Sequence, residues 1–153
     1  MIKGTKQKGI IYRVSLLLLI LLWSYSSMSK LTDISRFQQA LRIFNFPFGL
    51  KLFFSFGIPI SELLTAIFLI TPRYRKPALW FSMLLLSGFT IYVILAVFNF
   101  FEKRPCACGG VLSMLSWRMH LFFNITFSLI NALAIFLSRR HPSVSDLHDS
   151  PLK

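Results

Sequence analysis

The chain has 153 residues, of which 55% are hydrophobic and only 14% charged, with 17 Phe and a mean hydropathy of +0.65. That balance excludes an ordinary soluble domain and makes the bilayer the solvent in which the fold must be understood. A formal charge of +12 does not point to nucleic acid, because the basic residues are spread over every connection and lack interleaved aromatic stacking residues.

Four apolar segments follow one another, at about 10–28, 50–70, 78–101 and 119–137, each near the roughly 20 residues a helix needs to cross hydrocarbon. None alternates like a barrel strand, and in lipid each span must satisfy its own backbone polar groups. The expected fold is all-α: a four-transmembrane-helix bundle over residues 10–137, with an interfacial amphipathic helix after the first span. The remainder, 138–153, reads "SRRHPSVSDLHDSPLK" and is expected to be a disordered cytoplasmic tail.

The first segment has a basic start (Lys3, Lys6, Lys8, Arg13), an apolar run and then "SYSSMS", which is also the order of a signal peptide. Against cleavage, Tyr12, Trp23 and Tyr25 sit at its two ends as an aromatic belt does. Beyond it, Leu31, Ile34, Phe37, Leu41, Phe44 and Phe48 recur at helical spacing, with Lys30, Asp33, Arg36, Gln38, Gln39 and Arg42 between them. This pattern predicts a helix lying in the membrane interface, capped by Thr32 or Asp33 and ended by Pro47. An outward extension of the second span is the alternative for its last residues.

Basic charge sets the expected orientation. The N-terminus, the short connection "TPRYRKP" with Arg73, Arg75 and Lys76, and Arg139 and Arg140 after the last span all fall on one side. The positive-inside bias makes that side cytoplasmic, with both termini there. The stretch Arg104-Pro-Cys-Ala-Cys-Gly-Gly110 then lies outside, where disulfides persist.

Ionisable and polar residues within the spans carry the next signal, since each is costly in hydrocarbon. Glu62, in "GIPISELL" three residues after Pro59, is the only acidic residue in a span. In the fourth span His120, Asn124, Ser128 and Asn131 share one face, as do Tyr92 and Asn99 in the third. Where these faces meet they make a polar seam, suited either to a proton or quinone-like electron acceptor or simply to interhelical hydrogen bonding.

The two cysteines, Cys106 and Cys108, are the only ones in the chain. A Cys-x-Cys bridge needs a turn in the intervening backbone, because extended i and i+2 positions lie near the limit of bridgeable distance. Such a small ring closes little chain entropy but is well placed to exchange with another thiol pair. Gly109 and Gly110 supply backbone freedom, Pro105 fixes the entry, and a helix starting near Val111 would favour thiolate together with Lys103 and Arg104. A passive loop tie and a copper(I) site of Cys106, Cys108, Met114, Met119 and His120 are the alternatives. No dinucleotide fingerprint, phosphate loop, haem-attachment motif or nucleophile elbow is present in the sequence.

Glu62 after "PIS", the stretch "SKLTDISRF" and above all "CACGGVLSMLSWRMHLFFN" resemble the methylamine utilisation MauE group within the DoxX-like redox-associated membrane proteins, over about residues 10–137. The resemblance implies a four-helix bacterial inner-membrane protein with a periplasmic Cys106–Cys108 loop. Its implied work is disulfide formation or maturation of exported proteins, as MauE is tied to a disulfide-rich methylamine dehydrogenase. Cys106 and Cys108 would be the redox pair, with Glu62 and His120 as further catalytic candidates. The implied partners are the lipid bilayer and an external thioredoxin-like or exported cysteine-containing protein, with no nucleic acid. A quinone-like acceptor is a possible cofactor, no resident metal is expected, and a thiol–disulfide oxidoreductase is the enzyme class under consideration.

Overall fold

The computed structural model describes residues 2–41, 47–98 and 117–140. Five α-helices make up nearly all of it: α1 (Ile2–Thr32), α2 (Ile34–Leu41), α3 (Phe48–Ile70), α4 (Arg75–Val97) and α5 (Trp117–Arg140). Four of them, α1, α3, α4 and α5, are long and apolar enough to cross a membrane. They close a bundle in which α1 packs on α3 and α5, and α4 packs on α5 and α3.

The amphipathic stripe after the first apolar segment is divided among three elements rather than held by one. α1 runs on through Lys30 and Thr32 because Ser24–Ser29 contains neither proline nor glycine to stop it. Lys30 therefore belongs to the first span, which corrects its expected place on the solvated face of a connection. The break falls at Asp33, whose Oδ1 accepts the backbone N–H of Arg36 at 3.2 Å, the cap that starts α2. α2 presents Phe37 and Leu41 to the bundle, both buried, and packs on α3. The described part of α2 ends at Leu41, and Pro47 stands immediately before α3, where a missing N–H is harmless.

The connection between α3 and α4 is as tight as the basic "TPRYRKP" suggests. Thr71 is extended before Pro72, as the pre-proline position prefers, and one 3₁₀ turn, Pro72–Tyr74, leads directly into α4. Arg75 turns back to donate from Nε to the Leu69 carbonyl at 3.1 Å and from a terminal nitrogen to the Ile70 carbonyl at 3.4 Å. It thereby satisfies acceptors that the end of α3 leaves open. Nearby, the Arg139 guanidinium lies 5.6 Å from the Trp80 ring centroid, a cation–π contact tying α5 to α4.

The apolar core is built by Leu16, Leu19, Trp23, Ala66, Leu69, Leu79, Leu86 and Ala134, with the Trp23 indole the largest fully buried side chain. Leu17, Leu21, Phe53, Leu84, Phe122 and Leu129 point outward, the surface a bilayer would solvate.

Candidate functional site

Two polar layers interrupt that core. In the first, Trp23 Nε1 donates to Ser82 Oγ at 2.8 Å, and Asn131 Nδ2 lies 3.1 Å from the same oxygen and 3.2 Å from the Leu79 carbonyl. All three side chains are buried. The layer joins α1, α4 and α5 by hydrogen bonds, the cohesive use that polar residues commonly have between membrane helices.

The second layer holds charge. Lys30 Nζ donates to Glu62 Oε1 at 2.7 Å and to Ser26 Oγ at 2.6 Å, and Ser26 Oγ donates to the same Glu62 oxygen at 3.2 Å. Glu62 is fully buried and Lys30 is 5% exposed. The lysine reaches this point because side chains on a helix lean toward its N-terminus, carrying the ammonium back one turn from Lys30 to Ser26. Ser27 Oγ donates to the Pro59 carbonyl at 2.8 Å, which fixes α1 against α3 beside the pair. Pro59 itself cannot donate to the Ser55 carbonyl, and Ser55 turns its own hydroxyl to the Lys51 carbonyl at 2.7 Å.

Aromatic rings enclose the ammonium. Its nitrogen is 5.0 Å from the Phe89 centroid and 5.9 Å from that of Phe37, so α2 roofs the site and α4 walls it. His120, in the first turn of α5, is buried within electrostatic reach of Lys30. The buried Tyr92 hydroxyl comes from α4.

Of the residues singled out from sequence, Glu62 is paired with Lys30, and His120 is buried within electrostatic reach of that lysine. Asn131 belongs to the other layer, while Asn124 and Ser128 are half-buried and Ser128 Oγ donates to the Asn124 carbonyl at 2.8 Å. Cys106, Cys108, Asn99, Met114 and the tail from residue 141 lie outside the described residues. The described residues break off at Phe98 and resume at Trp117. His120 stands only about 4.5 Å of helix rise inside Trp117.

Lys30 is the functional-site residue that sequence reasoning missed. The signal was available: a carboxyl in a span calls for a cation, and Lys30 follows the first apolar run by two residues, beside Ser26 and Ser27. Met119 and His120 do not converge as a ligand pair, for Met119 is exposed where His120 is buried, as adjacent positions on a helix require. Among the described residues no three of His, Cys, Asp and Glu come together.

Four apolar helices around a buried ion pair define a multi-pass membrane protein with a charged interior layer. Residues 8–137 match the family described as methylamine utilisation protein MauE. The chain belongs to that family, and so to membrane proteins of methylamine utilisation. No match was found among curated proteins or among solved structures.

Proposed function

We propose that this protein is a membrane thiol–disulfide redox protein whose Cys106–Cys108 pair exchanges disulfides with exported proteins or with an external thioredoxin-like partner. The observation that carries this reading is one of placement. His120, three residues inside Trp117, is buried within electrostatic reach of Lys30, which is paired with Glu62, and in the sequence the chain's only two cysteines fall between Phe98 and Trp117. A redox pair at a membrane surface needs somewhere to send electrons and protons, and an ionisable layer directly inside the bundle supplies polar groups for that purpose.

In the exchange itself a client thiolate attacks one sulfur of the Cys106–Cys108 disulfide, and the second client thiol resolves the mixed disulfide. The client gains an S–S bond and the pair becomes a dithiol. Returning the pair to its disulfide removes two electrons and two protons, which a quinone-class acceptor takes up to become a quinol. In this reading the chain sits in a bacterial inner membrane with both termini cytoplasmic and the cysteines periplasmic, as the basic connection at Arg73, Arg75 and Lys76 favours.

The test is to express Cys106→Ser and Cys108→Ser variants, block thiols at lysis and isolate mixed disulfides. One variant should accumulate a covalent complex with an exported cysteine-containing or thioredoxin-like protein. A pair that stays in one redox state throughout growth, with both variants fully functional and no trapped partner, would leave only a structural loop.

A further inference from the structure

The two oxygens of Glu62 live in different surroundings. Oε1 is bonded to Lys30 Nζ and Ser26 Oγ, whereas Oε2, equally buried, has no donor among the described residues. An ion pair serving cohesion alone gains most when both carboxylate oxygens are satisfied, because the desolvation of each must be offset. A bare acceptor oxygen inside a membrane bundle is costly unless a proton occupies it.

Polar groups on several elements lie around the Lys30–Glu62 pair. Lys30 arrives from α1, held by Ser26, Glu62 and the Phe89 ring, so it is a positioning residue. His120, on α5, is buried within electrostatic reach of Lys30, and α4 carries the Phe89 ring against the ammonium and a buried Tyr92 hydroxyl. Asp33, at the cap of α2, pairs with Arg36 at 3.2 Å on the exposed face, and α2 contributes the apolar Phe37 to the site. Of the titratable groups in the first turn of α5, Arg118 is exposed and His120 is buried.

We propose that Lys30 and Glu62 form a proton-exchange site within the membrane, in which Glu62 Oε2 takes up and releases a proton and His120 carries it to and from the Phe98–Trp117 end. The use of this site rests on the thiol–disulfide reading. When Cys106 and Cys108 close their S–S bond, two S–H bonds break, and two electrons and two protons leave for the quinone-class acceptor. One of those protons passes through Glu62, which turns from carboxylate to carboxylic acid and back, while the other reaches the acceptor without it.

The experiment is infrared difference spectroscopy on the full chain in lipid nanodiscs, titrated from acid to alkaline pH, for wild type, Glu62→Gln and His120→Phe. A protonated-carboxyl band should rise and fall with pH in the wild type and be missing from Glu62→Gln. Its hydrogen–deuterium exchange should slow by about tenfold or more in His120→Phe, the scale on which a positioned proton-transfer group acts. Should Glu62→Gln fail to assemble, Glu62→Asp keeps the carboxyl and displaces the band, which makes the same assignment. A band that never changes with pH, one that is unaffected by either Glu62 variant, or exchange unaltered in His120→Phe overturns the site. Trapping of mixed disulfides is read on the same preparations: trapping without the band removes the proton site alone, and the band without trapping leaves the site and removes the redox reading.

Discussion

Lys30 Nζ and Glu62 Oε1 lie 2.7 Å apart in the interior of a membrane bundle, joined across α1 and α3 with Ser26 bonded to both. Each group alone would be prohibitive there, and each is tolerable because of the other. Helix pairing and charge placement are thus one requirement: α1 and α3 must meet in this register for either residue to be accommodated.

Removing one member should therefore be worse than removing both. Lys30→Met is expected to destabilise the bundle by about 3–5 kcal/mol, and Lys30→Met with Glu62→Leu to recover most of that loss. Denaturant titration in detergent measures it. A double variant no more stable than the single one would show that the pair is not coupled.

Glu62→Gln should separate assembly from activity. The amide keeps a carbonyl oxygen for Lys30 and Ser26 while removing the ionisable group, so a monodisperse protein should still be recovered. Formation of disulfides in an exported client should fall markedly. Full activity in this variant would assign Glu62 to hydrogen bonding alone.

At the junction of α1, α4 and α5, Asn131→Leu should cost about 0.6–2 kcal/mol, the range measured for hydrogen bonds between membrane helices. The Trp23–Ser82 bond remains, so the effect should stay small and leave client oxidation intact. A loss of client oxidation without loss of stability would move Asn131 into the functional layer.

Phe37 distinguishes a packed α2 from one that merely floats on the bilayer. Buried beside Lys30, it should cost about 3 kcal/mol when changed to Ala. Phe48, 82% exposed, should tolerate the same change with no shift in the thermal midpoint. Equal midpoints for the two variants would mean that α2 does not roof the site in the membrane.

For orientation, an impermeant thiol reagent applied to intact spheroplasts after mild reduction should label Cys106 and Cys108. Labelling that appears only after the membrane is opened would place the cysteines in the cytoplasm and reverse the topology.

Hydropathy alone determined the number of spans and their approximate ends, because a helix in hydrocarbon has to be apolar along most of its length whatever it packs against. The cost of a carboxyl in a span likewise marked Glu62 before any partner was known, and the polar pair Thr32 and Asp33 marked the start of α2, where Asp33 supplies the cap. What only the tertiary structure decided was pairing. Lys30 looks like interfacial charge in the sequence: the lack of helix breakers after Ser24 permits α1 to continue, but nothing local reports that Ser26 and Ser27 lie alongside Glu62 and Pro59. His120, Asn124, Ser128 and Asn131 share a helix face, yet His120 and Asn131 serve different layers, because separation along α5 sets their depth and the neighbouring helices supply different partners at each depth. Periodicity records which side of a helix is turned inward; which group waits there is fixed by the packing of the other spans.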